Sequence, residues 1–536
     1  MRFSISYHTP KATANPLSMD LEALPLLGFV IALILLLAKL IYTSSPPAPS
    51  KRLPPGPWQL PLVGSLHHIL LSRHGALPHR ALRELSGRHG PLMLLRFGAV
   101  PTLVVSSAEG AQEVLKTHDA AFASRHLTPT LAIFSRGGED ILFSPYSDLW
   151  RQLRKICVLE LLSARRVQSF RHIREDEAAA LLRSVADECA QGAGGSAVVE
   201  IGKRMSRMVT DIVVRSAVGS RCPRRDEFLR ELDIAGKLTG GFNLADLYPS
   251  SPLARWISGA IRETERCNRD VRDIMADIIR GRADGGEGGS EEDEEDLLGV
   301  LLRLQKEGGV QCPLTAEIIT TFVMEIFAAG SETSSTTLEW TMSELIRNPR
   351  VLRKAQAEVR EAFDGQHRLT EDDVGRLSYL HLVIRETLRL HVPLPFLIPR
   401  QCREPCDVMG YHIPEGTKVL VNAWALGRDG AYWEDAEAFK PERFTEETGA
   451  AAAAVDFKGG DFEFIPFGAG RRICPGMALG LANMELVLAS LLYHFDWELP
   501  GGGRPEGLDM SEEFGITIRR KSKLVLRAVQ RIPFAN

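Results

Sequence analysis

Cysteine is scarce and scattered. Eight occur in 536 residues, at Cys157, Cys189, Cys222, Cys267, Cys312, Cys402, Cys406 and Cys474. No Cys-x-x-Cys pair is present, and Cys402-x-x-x-Cys406 has no histidine companion at zinc spacing. A disulfide framework is excluded, and two structural thiols are a better reading of that pair than a metal site. Neither sign of charge dominates: 64 Lys and Arg face 68 Asp and Glu, for a net charge of −4. Nothing in that balance calls for nucleic acid. The Gly-x-Gly-x-x-Gly fingerprint is missing, and with it a nicotinamide site in this chain. No internal repeat occurs. Hydrophobic residues, at 44%, are ample for a large core.

One long apolar run is present, Leu21–Tyr42, uncharged from Ala23 to Ala38. Its length fits a single membrane span, and the short apolar core and cleavage site of a signal peptide are not evident. Lys39, Lys51 and Arg52 follow it, while Asp20 and Glu22 precede it. The positive-inside rule then puts the body in the cytosol, as in a single-pass endoplasmic reticulum protein. Residues 1–20 read as a leader. Their basic, acid-free start makes a plastid transit peptide the alternative. Residues 43–57 hold Pro46-Pro47-Ala48-Pro49 and Leu53-Pro54-Pro55-Gly56-Pro57, a stiff hinge. Residues 58–536 are expected to form one catalytic domain. A short hairpin is expected over Gly90–Ser106, and mostly helical pattern follows from Ala108.

The most informative stretch is Phe467-Gly468-Ala469-Gly470-Arg471-Arg472-Ile473-Cys474-Pro475-Gly476. Its glycines let backbone approach a flat, bulky group. Phe467 offers an aromatic lid, and the arginines offer fork-shaped donors for carboxylates. Cys474 beside those cations is expected to favour its thiolate. Alone it would read as a small buried hydrophobe, and Gly-x-Gly before Pro-Gly as a turn. Together the residues suit an axial haem ligand, with an arginine left for a propionate.

Other stretches carry further pattern. Trp150 and Arg154 lie four apart on one helix face, able to present an indole N–H and a guanidinium to one anion. Thr315 can cap a helix reaching Arg347, roughly 48 Å long at 1.5 Å per residue. Its middle, Ala329-Gly330-Ser331-Glu332-Thr333-Ser334, is expected to be weak enough for local opening. Glu386 and Arg389 form a local pair three apart. Arg443 lies in Pro441-Glu442-Arg443-Phe444, and Arg400 ends a proline-stiffened segment from Val392.

In order along the chain, these motifs resemble those of the cytochrome P-450 monooxygenases, most of all plant microsomal members acting on specialised metabolites. The resemblance implies a mainly α fold with a small β region, preceded by one N-terminal transmembrane helix. It implies haem b held by the Cys474 thiolate, with Phe467 and Gly468 beside it and Trp150, Arg154, Arg400 and Arg472 toward the propionates. It gives Glu332 and Thr333 a part in proton delivery, and makes Glu386, Arg389 and Arg443 a structural lock. Plant members usually carry two prolines after the histidine at His391; here Val392 comes first. The implied reaction inserts one oxygen atom of O2 into a small lipophilic substrate, a terpenoid ahead of a phenylpropanoid or an amino-acid-derived compound. Electrons would come from NADPH–cytochrome P-450 reductase at the endoplasmic reticulum membrane. A haem-thiolate isomerase or dehydratase needing no O2, or an inactive membrane-anchored haem-binding protein, are the alternatives. Apolar segments at Leu127–Ser135, Phe242–Leu247, Ile326–Thr333, Leu394–Ile398 and Phe514–Thr517 are expected to line the pocket.

Overall fold

The Thr315 hydroxyl accepts the Ile318 N–H and starts a 32-residue helix, Ala316–Arg347, at the expected place. In this computed structural model, residues 51–192, 194–219, 224–284, 295–308, 311–446 and 454–534 are described. The leader, the span Leu21–Tyr42 and the hinge up to Ser50 lie outside the described residues. Arg52–Asn536 forms one compact unit.

The long central helix packs against helices Ile201–Val218, Ser378–Leu390 and Met477–His494. Phe322, Phe327, Leu338 and Met342 from it share one apolar core with Val209, Ile212, Leu488 and Leu491. Its middle is continuous helix, contrary to the expected opening. The glycine has another use. A Cβ on Gly330 would stand 3.1 Å from Val213 Cγ2, so its absence lets two helices close together. Helix Met477–His494 is long and apolar enough to cross a membrane. Most of its side chains are nonetheless in the core, including Leu486, Leu488, Leu491 and Leu492.

The β region is small. Strands β1 (Leu92–Phe97) and β2 (Val100–Val105) form the expected antiparallel hairpin, Leu94 opposite Leu103. The other strands of this sheet are β3 (Ser124–Arg125), β4 (Arg400–Gln401) and β5 (Lys418–Val421). Their order is β1-β2-β5-β4-β3, with β2 and β5 parallel. The register sets Arg125 directly opposite Arg400. The end of the hinge is held against the same sheet. Leu94 N–H donates to the Pro55 carbonyl at 2.9 Å, and a Cβ on Gly56 would lie 2.3 Å from the Leu94 carbonyl.

Glu386, on helix Ser378–Leu390, is wholly buried. Arg389 donates to it through Nε at 2.7 Å and Nη2 at 2.8 Å. Arg443 donates through Nε at 3.0 and 3.1 Å. The remaining guanidinium N–H groups hold carbonyls of Gly427, Ala436, Ala438 and Glu434. The segment from Gly427 to Arg443, largely without regular structure, is thereby given a fixed path. Rings carry that order onward: Trp433 to Phe444, Phe444 to Phe464, Phe464 to Phe457, and Phe457 to Phe467, with centroids 5.5–6.1 Å apart. Arg389→Leu should leave Glu386 buried beside one guanidinium instead of two, costing about 3–5 kcal/mol in the manner of a broken buried pair. Urea unfolding measures this. A loss under about 1 kcal/mol would place the pair among exposed ones.

Candidate active site

The Cys loop is shaped by two backbone facts. Gly468 and Gly470 take φ values of +72° and +67°, where glycine is favoured. A Cβ on Gly470 would come within 2.1 Å of the Leu115 carbonyl oxygen. Cys474 N–H then donates back to the Phe467 carbonyl at 2.9 Å, closing the loop. Met477–His494 begins just beyond it.

Cys474, Phe467, Gly468 and Arg472 line one wall of a cavity of about 370 Å³. Ala329, Gly330, Glu332 and Thr333 of the central helix also line it. So do Trp150, Arg154 and Arg400. The cofactor and proton-delivery residues named from sequence therefore converge on one space.

Their hydrogen bonds differ from the simplest reading. The Trp150 indole N–H donates to the Ile141 carbonyl at 3.1 Å rather than being free for an anion. The Arg472 guanidinium lies 4.0 Å over that indole. It donates to carbonyls of Ala123 at 2.8 Å and Ser144 at 2.5 Å. Arg471 turns outward to Asp119 instead, its backbone N–H donating at 2.8 Å. The two loop arginines thus do not flank the thiol. Burial pushes the Cys474 thiol above its ordinary pKa, against the pull of the Gly476 N–H and Arg154. Arg154 is the cation that favours the thiolate, while Arg472 faces carbonyls and a ring.

Arg400 donates to Asp119 at 2.8 Å and to the Ala469 carbonyl at 2.8 Å. Arg125, opposite it on β3, has no motif in the sequence to announce it. Its guanidinium donates to the Leu142 carbonyl at 3.1 Å and the Ile398 carbonyl at 2.5 Å. Burial pulls the pKa of Arg125, Arg154, Arg400 and Arg472 down, and Arg125 and Arg472 are lowered further by neighbouring guanidiniums. For Arg472 the fall is to about 9. Four cations crowd one side of the cavity, with Asp119 pairing Arg400. Such a wall favours a bound dianion.

Also lining the cavity, the Thr333 hydroxyl donates to the Ala329 carbonyl at 2.7 Å, leaving its oxygen able to accept from water. Glu332 is more tightly engaged. Its Oε1 accepts from Arg519 at 2.7 and 2.9 Å and from the Thr517 hydroxyl. Arg519 also pairs with Asp233.

The pocket expectations hold unevenly. Ala328, Leu394, Phe396, Leu397, Ile516 and Thr517 line the cavity. From Leu127–Ser135 only Phe134 does so, and Phe242–Leu247 contributes none. Phe242 packs instead on Phe97 and Phe514, at 5.7 Å each. Ile141, Leu142 and Phe143 were not anticipated, nor were Leu232, Ala235 and Gly236 of helix Arg225–Leu238.

The cytochrome P-450 family model matches residues 54–526. The chain is 49% identical over 509 residues to dolabradiene monooxygenase of Zea mays, covering 95% of this chain and 98% of that protein. It is 51% identical over 490 residues to ent-isokaurene C2/C3-hydroxylase of Oryza sativa subsp. japonica, covering 90% and 93%. A solved zebrafish cytochrome P-450 structure with abiraterone gives a TM-score of 0.68 at 26% identity, covering 85% of this chain and all of that one.

Gly470→Ala should destabilise the fold beyond the left-handed penalty of about 1–2 kcal/mol, because the new methyl meets a carbonyl. Gly75 has φ +59° with open space around it, so Gly75→Ala is the control. Equal shifts of the two melting temperatures would show that the Leu115 contact is not a constraint.

Proposed function

Because the chain belongs to the cytochrome P-450 family of oxidoreductases, we propose that it is a membrane-anchored haem-thiolate monooxygenase acting on a small lipophilic plant terpenoid. The observation that carries this is Cys474 in the wall of a largely apolar cavity that the hydroxyl-bearing centre of a long helix also lines.

The residues fit haem b. Cys474 would hold the haem iron through its sulfur, and its raised-pKa thiol would give up a proton on binding. Gly468 and Gly470 keep the loop low, and Phe467 covers it. The Arg154 guanidinium makes no hydrogen bond to another described residue and would be free to meet a propionate; Arg125, Arg400 and Arg472 would supply charge alongside. Haem with a thiolate ligand supplies the activation of O2. Thr333 holds a water by accepting its hydrogen bond, and Glu332 passes protons inward when Arg519 and Thr517 release Oε1. Glu386, Arg389 and Arg443 act structurally.

Electrons come from NADPH through cytochrome P-450 reductase. The span at residues 21–42 anchors the body to the endoplasmic reticulum, with residues 58–536 as the cytosolic catalytic domain. Exposed apolar side chains support contact with a bilayer: Leu71 is 84% exposed and Trp256 74%. The Tyr248 hydroxyl ties the two segments by donating to the Leu62 carbonyl at 3.0 Å. The names of the Zea mays and Oryza sativa relatives support a terpenoid substrate.

Cys474→Ala should abolish the thiolate-type band of the reduced, CO-treated protein, and its survival in a folded variant would sink the ligand assignment. Conversion of substrate without O2 and NADPH would favour an isomerase instead. Thr333→Val should keep haem and substrate binding yet lower product per NADPH and raise peroxide, with proton assistance of this kind about 10²–10⁴-fold. Full coupling in that variant would remove Thr333 from the proton path.

A further inference from the structure

Two carboxyl groups outside the expected site meet beneath the arginine wall. Glu325 is on the central helix, two turns before Thr333, and lines the cavity. Asp140 is 1% exposed in the segment before helix Asp148–Ile156. The Ile141 N–H donates to Glu325 Oε2 at 3.1 Å. The Phe143 and Ser144 N–H groups donate to Asp140 Oδ1 at 2.7 and 2.6 Å. Glu325 Oε1 and Asp140 Oδ2 are buried and take no donor, and the two carboxyl groups lie within reach of each other. Those two oxygens are the ones left free to meet. Two ionised carboxylates have no donor, so the contact requires one proton.

The same segment faces the arginines with its carbonyls. Ile141 accepts from Trp150, Leu142 from Arg125, and Ser144 from Arg472. Its amides face the acids and its carbonyls face the cations. We propose that Glu325 and Asp140 share one proton, and that this proton positions residues 140–144 and, through them, Arg125, Arg472 and Trp150. Both are positioning residues; neither needs to touch substrate.

The pair titrates among three neighbours. Arg125 and Arg472 face Asp140, with Arg472 lowered to about 9 by burial and its neighbours; Cys157 faces Glu325, and burial pushes its thiol up to about 12. Burial likewise raises Asp140 to about 6 and Glu325 well above the carboxyl range, the latter further raised by Asp140. Raised acid pKa values mean that the native state holds the proton more tightly than the unfolded chain. The stabilisation is complete below the ordinary carboxyl range and is lost as pH rises through the pair's raised apparent pKa.

The test compares wild type with Glu325→Gln and Asp140→Asn, each of which can keep the contact without a shared proton. Infrared difference spectra of wild type at neutral pH should show one protonated-carboxyl band that both variants lack. Relative to the variants, the wild-type unfolding constant should rise about tenfold per pH unit in that window, the slope of one linked proton. Glu325→Leu, which strands Asp140 Oδ2, should lose stability at every pH. In haem-loaded protein, an arm that rests on the proposed cofactor, alkaline pH should release haem from wild type faster than from Glu325→Gln. Failure to bind haem at all would strike the cofactor reading, and the infrared arm would still decide this one. Identical infrared spectra or parallel pH profiles would overturn the shared proton. Its presence with unchanged haem release would overturn the positioning role.

Discussion

The charge of one carboxylate, Glu386, holds two guanidiniums in a space that water does not reach. Removing charges from water is costly, and apolar residues of equal volume often serve stability as well as an ion pair. What apolar residues lack is a set of directed donors. Arg389 and Arg443 reach out from Glu386 to carbonyls across the loop Gly427–Ala438. The loop has little helix or strand to satisfy those carbonyls otherwise. The ion pair gives order to a chain segment, and the tilted and edge-to-face rings from Trp433 to Phe467 convey that order to the loop bearing Cys474.

The cavity's other side depends on an imbalance. Four guanidiniums crowd it, and their lowered pKa values report burial and, for two of them, mutual repulsion. Peptide carbonyls accept from Arg125, Arg400 and Arg472, which makes the arrangement tolerable without neutralising it. The acids nearby are few: Asp119 is shared between Arg400 and Arg471, and Asp140 and Glu325 have turned toward each other. A ligand with two negative groups supplies the missing half. Preorganised charge of this kind lowers what binding must rearrange.

Much of this was legible in the sequence because it rests on local chemistry. The helix start at Thr315 follows from a hydroxyl at the right place, and the hairpin at Leu92–Val105 from alternation and a glycine turn. The loop at Cys474 follows from glycines beside a thiol. The illegible parts depend on distant segments meeting. Arg125 carries no local signal, and it reaches the cavity because a two-residue strand pairs with Arg400, 275 positions away by the numbering. Gly330 suggested a weak helix until Val213 was seen against it. Phe242–Leu247 is apolar enough for a pocket, yet the rings of Phe97 and Phe514 claim Phe242. Arg471 and Arg472 are neighbours with the same charge, and backbone geometry alone sends one to solvent and the other to Trp150.

The helix Met477–His494 has a consequence for biosynthesis. Beside an insertion machinery, an unfolded segment of its length and hydropathy satisfies the physical criteria of a span. What withholds it from lipid is the rest of the protein: the central helix and helices Arg171–Gln191 and Pro349–Ala362 pack on it. Those partners precede it along the chain, so they can be synthesised and collapsed before it emerges. Slow assembly of the upstream helices would leave this segment to the bilayer and draw Cys474, three residues before it, toward the wrong solvent. The order of synthesis thus guards the site as much as the finished packing does.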